Sequence, residues 1–184
     1  LTDGAVVYDI GSGTGSVAVE IAGLSETVHV YAIERKPEAV ELLRKNREHF
    51  HMDNMEIIEA LAPEGLEELP VPTHAFIGGS GGRLMDILQT LYRKNPHMRI
   101  VINAISMETI AELQEVLEAF PVEDGEILQM QVNRVESDRP GYDEYRYNIG
   151  PIEHDPYVLM GYLTSAYQDF TLSLIHISEP TRPY

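Results

Sequence analysis

The stretch Asp9-Ile-Gly-Ser-Gly-Thr-Gly15 constrains this chain more than any other, because it overlaps the end of the apolar run Ala5-Val-Val-Tyr-Asp-Ile10. Three glycines at alternate positions after a strand mark a tight crossover whose backbone approaches a ligand, since left-handed φ is cheap only at glycine. Ser16 through Ile21 then begins a short helix, and Val28-His-Val-Tyr-Ala-Ile33 reads as a second strand closed by Glu34. Strand, glycine turn, helix and strand in that order form a βαβ unit, which places a nucleotide-like ligand at the first crossover.

The same rhythm continues. Pro37 suits the first turn of a helix, and Glu38 to Phe50 carries the helical pattern with Val40, Leu43 and the Arg47 stem inward. Met55 to Ile58 predicts a third strand and His74 to Ile77 a fourth, which opens into Gly78-Gly-Ser-Gly-Gly82. Leu84, Ile87, Leu88 and Leu91 recur at i, i+3, i+4 and i+7, an amphipathic helix. Arg99 to Ile102 is a fifth strand, followed by a helix from Met107 to Phe120 with Ile110, Leu113 and Leu117 inward. Residues 127 to 135 alternate apolar and polar side chains, the period of a partly exposed antiparallel strand. A Pro/Gly-containing connection from Ser137 to Tyr142 leads towards a last strand at Tyr157-Val-Leu-Met160. The expected fold is therefore α/β and Rossmann-like, a mostly parallel seven-stranded sheet with an antiparallel C-terminal hairpin. The expected domain spans 1–171, and residues 172–184 read as a translated adapter-like tail, so His176 is left out of the functional reading.

Composition narrows the function classes. At 184 residues the chain fits one domain with a sizeable core. No apolar run reaches the 18 residues of a membrane-spanning helix, and Leu1-Thr-Asp-Gly4 has no signal-peptide pattern. Zero cysteines exclude disulfides, a thiolate nucleophile and thiolate-bound metal, so a cytoplasmic setting is expected. The formal charge of −17 repels phosphate backbones, and the 13 Lys and Arg residues do not cluster, so no nucleic-acid partner is expected.

The glycine turn can be read more closely. Its spacing is G-x-G-x-G, not the G-x-G-x-x-G of dinucleotide sites. Asp9 lies two residues before Gly11, where its charge would repel a pyrophosphate but suits a ligand bearing an ammonium and a sulfonium. The acidic approach therefore favours S-adenosylmethionine. Glu34, 19 residues beyond Gly15 at the end of the second strand, stands where Rossmann-like sites hold ribose hydroxyls. Its other reading is a surface acid paired with Arg35 or Lys36. The second glycine cluster follows the fourth strand, so both clusters face one crevice if the strand order reverses between strands one and four. Arg83, just beyond it, is a candidate carboxylate clamp or a solvated surface cation. His49 and His51 do not share a helix face and read as surface residues, and His154-Asp155 reads as a turn.

In sequence order, DIGSGTGS after a strand, IERKPEA, FIGGSGGRL and VINAISMETI together resemble one family. It is the decarboxylating precorrin-6Y methyltransferases of corrin (cobalamin) biosynthesis, specifically the subunit or domain that methylates carbon 15, with the class I S-adenosylmethionine-dependent fold. The resemblance covers about residues 1 to 135. Asp9 and Arg35 are further expected cofactor contacts, and Arg83 a further candidate for the substrate cleft. By position the resemblance implies cofactor contacts from Gly11, Ser12, Gly13, Thr14, Gly15 and Glu34, with Gly78, Gly79 and Ser80 bordering the cofactor's methionine end and the tetrapyrrole and Asn103 facing the same cleft. It implies that Gly81 and Gly82 border the same cleft. It further implies a precorrin or cobalt-precorrin substrate, carbon-15 methylation with loss of carbon dioxide from the carbon-12 acetate, a homotetramer and a carbon-5 methylating partner. No metal is expected.

The chain departs from the pattern in three places. Ala60-Leu61 stands where the family has Gly-Asp, so the acidic adenine contact is missing and Glu59 is a weak substitute. The chain begins almost at its first strand, which reads as a fragment, and Ser137 to Pro156 matches the terminal hairpin poorly. For a polycarboxylate substrate the candidate cations are Arg83, Arg134, Arg139 and Arg146, and Tyr142, Tyr145 and Tyr147 either cover a flat macrocycle or pack the hairpin. Two rivals stay open: another class I methyltransferase acting on a small molecule or RNA, and a non-catalytic module that holds the cofactor.

Overall fold

The computed structural model describes residues 1–120, the backbone of 122–136, 143–150, 157–163 and 170–171, and the side chains of 122 and 126–128. The expected connection at 137–142, Arg139, Tyr142, His154 and the tail lie outside the described residues, as do the side chains of Arg134, Tyr145, Arg146 and Tyr147.

Five parallel strands form the centre: β1 (Val6–Ile10), β2 (His29–Glu34), β3 (Met55–Glu59), β4 (His74–Ile77) and β5 (Arg99–Ala104). Between them run α1 (Ser16–Ala22), α2 (Pro37–His49) and α3 (Leu84–Lys94), and α4 (Met107–Ala119) follows β5. The order is β3-β2-β1-β4-β5, so the chain steps outward from β1 in one direction and then in the other. That reversal opens a crevice at the carboxyl ends of β1 and β4, where open α/β sheets bind ligands.

Alternation along each strand separates two cores. Val7, Val30, Ala32 and Met55 point to one face and pack against α1 and Leu43 of α2. Tyr8, Ile10, Ile33, Ile77, Ile100 and Ile102 point to the other and meet α3 and α4. In α3 the expected stripe of Leu84, Ile87, Leu88 and Leu91 is buried throughout. Burying each such side chain contributes about 1.5–3 kcal/mol. Val40 and Leu43 of α2 and Leu113 of α4 are buried as expected, and Val116 joins them. Ser106 caps α4 by accepting a hydrogen bond from the Thr109 amide at 3.2 Å. His49 and His51 are exposed, in line with a surface role.

The C-terminal half corrects the strand count. Among the described residues the sheet has nine strands, not seven, adding β6 (Val122–Glu136), β7 (Asp143–Gly150), β8 (Tyr157–Leu163) and the two-residue β9 (Phe170–Thr171). The two expected antiparallel strands are β6 and β8; β8 inserts between β5 and β6, antiparallel to both. The unexpected β7 pairs with β6 from Gln129↔Gly150 to Glu136↔Asp143. Its Tyr145, Tyr147 and Ile149 alternate at period two. The Pro and Gly residues before and after it read as one long connection and hid that alternation. The terminal hairpin is thus widened into a β8–β6–β7 antiparallel extension of the sheet.

Candidate functional site

The first glycine turn is fixed by the strand beside it. The amides of Gly11 and Ser12 both donate to the Ile33 carbonyl of β2, at 2.9 and 3.0 Å, and the Gly15 amide closes the turn on Ser12 at 2.9 Å. Gly11, Gly13 and Gly15 take φ of 72°, 58° and 82°, the left-handed region that disfavours other residues. Space is equally restrictive. A Cβ at Gly11 would stand 2.6 Å from the Gly79 carbonyl oxygen, and one at Gly15 would run into Leu43. The two glycine clusters therefore touch backbone to backbone, helped by the Gly78 amide bonding the Ile10 carbonyl at 2.9 Å. Gly13 and Gly79 instead have nothing within 4 Å of such a Cβ, so their bareness leaves open room. Thr14 is exposed, and its carbonyl accepts from the Asn46 side chain of α2 at 2.8 Å.

Glu34 ends β2 under this turn, 8% exposed. Its Oε2 accepts the Gly13 amide at 2.9 Å, and its Oε1 accepts the amides of Arg35 and Lys36, both at 2.9 Å. The side-chain ion pair with Arg35 or Lys36 is not formed; the carboxylate takes their backbone instead. An ionised carboxylate offers about four acceptor directions, so one direction on Oε2 is left for a ligand hydroxyl. Holding both hydroxyls of a ribose requires the Gly13 amide to yield.

Asp9 is more deeply placed than its position in the motif suggests, at 1% exposure beneath the turn. Ser12 Oγ donates to its Oδ2 at 2.6 Å, while Oδ1 has no hydrogen-bond partner. Burial pushes its carboxyl up from an ordinary 3.8 to about 6; the Ser12 hydroxyl and a weaker pull from the Ala18 amide oppose this, and the Glu34 charge adds to it. The Ala18 amide closes no hydrogen bond, so Oδ1 remains an orphaned acceptor.

A cleft of about 200 Å³ lies between the two turns. Gly11 and Glu34 form one side, Gly79, Ser80 and Gly81 another, and Ile33, Ala60, Leu61 and Ala62 an apolar wall. Exposed Arg35 and Lys36 stand at its rim. Ser80 is buried and donates to Glu112 Oε2 of α4 at 3.1 Å. Arg83 does not line the cleft: its Nη1 holds Glu64 at 2.6 and 2.7 Å and its Nε holds Asp86 at 3.3 Å. Half-buried Asn103 sits near the end of β5, also outside the lining. Glu59 is engaged by Arg44 at 3.1 Å and is no part of the wall, so Leu61 and its alanine neighbours face the cleft without an acid. Sequence reasoning missed Asn46, Lys36 and Glu112. The Lys36 position was legible beside Glu34, whereas Asn46 and Glu112 reach the site only through helix packing.

These features fit S-adenosylmethionine. Bare glycines leave room for it, a partly satisfied carboxylate faces the ribose position, an apolar wall suits adenine, and a buried anion lies beneath a ligand that is cationic at its methionine end. The parallel sheet with an antiparallel extension, reversed at β1 and β4 beneath two glycine turns, defines the class I methyltransferase fold. Within that class the precorrin methyltransferase domain matches residues 1–141, and the chain belongs to that family. Two archaeal relatives are named "Probable cobalt-precorrin-6B C(15)-methyltransferase (decarboxylating)". The one from Methanothermobacter thermautotrophicus is 42% identical over 114 residues, 61% of this chain and 58% of the relative. The one from Pyrobaculum calidifontis is 32% identical over 164 residues, 88% of this chain and 80% of the relative. The crystal structure of precorrin-6y C5,15-methyltransferase from Geobacter metallireducens aligns with a TM-score of 0.72 at 30% identity, over 89% of this chain and 82% of that one. The chain thus spans less than two thirds of the length of the Methanothermobacter relative.

Proposed function

We propose that this protein uses S-adenosylmethionine to methylate carbon 15 of a precorrin or cobalt-precorrin macrocycle, with loss of carbon dioxide from the carbon-12 acetate, in cobalamin biosynthesis. The observation that carries this is the cleft itself: two glycine turns in backbone contact, with the Glu34 carboxylate beneath one and Ser80 buried in the other. When bound, S-adenosylmethionine supplies an electrophilic methyl group on a sulfonium.

The chain's own residues bind and orient. Glu34 holds the Gly13 amide and offers its remaining acceptor direction to a ribose hydroxyl. Ile33, Ala60, Leu61 and Ala62 exclude water from the adenine side. Asp9, charged above about pH 6, provides a buried negative field, and Gly78 and Gly79 keep backbone close to the methionine end. Asn103, near the end of β5 beside β4, is the further candidate for contact with the macrocycle. A conjugated ring carbon is already nucleophilic, and the same conjugation absorbs the electron pair left by decarboxylation. Fixing the reactants in line is then the main task, and positioning alone can supply about 7–11 kcal/mol.

The polycarboxylate substrate must approach a chain of net charge −17. Arg35 and Lys36 at the rim are the cations that meet it first. Arg83, satisfied by Glu64 and Asp86, acts as a clamp only by exchanging those partners. A homotetramer, a carbon-5 methylating partner and a cytoplasmic setting belong to the same proposal; among the described residues no helix is long and apolar enough to cross a membrane. Calorimetric titration with S-adenosylmethionine tests the reading. Saturable one-site binding is expected, and silence at millimolar cofactor would sink it.

A further inference from the structure

The loop Gly78-Gly-Ser-Gly-Gly82 contains four glycines and one residue with a side chain. Glycine loses the most conformational freedom on ordering, so a loop of this composition needs something outside itself to hold one shape. Two of its members, Gly81 and Gly82, sit at φ of 61° and 79°, a conformation the loop must keep without side-chain packing of its own. Ser80 is its only side-chain handle, and it is taken. It is 5% exposed, and its Oγ donates to Glu112 Oε2 at 3.1 Å across 32 residues of chain. The other oxygen, Glu112 Oε1, lies 3.7 Å from where a Gly82 Cβ would stand, so the carboxylate runs alongside the loop backbone.

Glu112 is half-buried on α4, the helix packed behind α3 on the sheet face away from α1 and α2. Its grip is transmitted further. Gly79 rests against Gly11, whose Cβ would come within 2.6 Å of the Gly79 carbonyl, so the set of the second loop also sets the first turn. A hydrogen bond to a charged acceptor is roughly twice as strong as a neutral one, which suits a side-chain anchor for a glycine loop otherwise held by backbone bonds such as Gly78 N–H to the Ile10 carbonyl.

We infer that Glu112 is a positioning residue: through Ser80 it holds the Gly78–Gly82 loop in the shape that completes the cofactor cleft. The inference rests on the S-adenosylmethionine reading for its functional consequence, but not for its structural one. Four variants test it: Ser80→Ala, Glu112→Ala, the double variant, and Glu112→Gln, which keeps an acceptor oxygen. Two readouts are used: amide hydrogen exchange across 78–82 without ligand, and calorimetric affinity for S-adenosylmethionine. Each alanine variant is expected to speed exchange in the loop and weaken binding by roughly tenfold. The double variant is expected to do no worse than either single one, and Glu112→Gln to stay within about threefold of wild type. Unchanged loop exchange in Glu112→Ala, or single effects that simply add, would overturn the anchor. Faster loop exchange in the alanine variants, in a protein whose wild type binds no cofactor, would leave the anchor standing and remove the cofactor reading instead.

Discussion

Replacing Asp9 with asparagine should change the pH dependence of stability in a calculable way. The wild-type carboxyl is 1% exposed, leaves Oδ1 unbonded and titrates at about 6 instead of 3.8. The folded value lies above the unfolded one, so the folded state binds the proton more tightly. The penalty is absent below pH 3.8, grows as pH rises towards 6 and is complete above it. At about 1.36 kcal/mol per pKa unit, the full penalty is about 3 kcal/mol, of which about 1 is already present near pH 4.5. Asparagine does not titrate. Its carbonyl can still accept from Ser12, and its buried NH₂ adds a cost that is the same at every pH. The stability of Asp9→Asn relative to wild type should therefore rise by about 2 kcal/mol between pH 4.5 and pH 7.5, whatever its fixed offset. Urea unfolding of both proteins at the two pH values measures it. A relative stability that stays flat or falls over that interval would refute the buried-anion argument. If the charge is kept for the cofactor, the same variant should also bind S-adenosylmethionine more weakly at pH 7.5, trading stability against function.

Other substitutions probe the remaining parts of the cleft. Glu34→Ala strands the Gly13, Arg35 and Lys36 amides and should weaken S-adenosylmethionine binding by about 1–3 kcal/mol, read by calorimetry; unchanged affinity would remove Glu34 from the site. Gly11→Ala must push its Cβ into the Gly79 carbonyl at a positive φ, so it should lower stability by at least about 1–3 kcal/mol and abolish binding. A well-tolerated alanine there would mean that the two turns are not in contact. Leu91→Ala, buried on α3 and outside the cleft lining, should cost about 2–5 kcal/mol of stability in urea and leave cofactor affinity unaltered once folded.

The parallel half of the fold was legible because each strand and helix announces itself locally. The heptad-like stripe of α3 and the short apolar runs of β1, β2, β4 and β5 need no knowledge of their neighbours. β7 escaped because its alternating Tyr145, Tyr147 and Ile149 lie between breaker-rich segments, and its pairing partner is known only from the sheet. The site divides in the same way. Glycine spacing and Glu34 are local signals, and they converge on one cleft. The depth of Asp9, the capture of Arg83 by Glu64 and the Ser80–Glu112 contact depend on which surfaces meet after folding. A lone Glu on an amphipathic helix looks like any solvated acid until the glycine loop is packed against it.

The most direct test is the mass of the product. The protein is incubated with S-adenosylmethionine and the precorrin-6 or cobalt-precorrin-6 tetrapyrrole, and the macrocycle is weighed before and after. One methyl gained and one carbon dioxide lost on the same molecule is the predicted result. A tetrapyrrole recovered unchanged, from a protein that demonstrably binds the cofactor, would contradict it and direct attention to a different methyl acceptor for the same cleft.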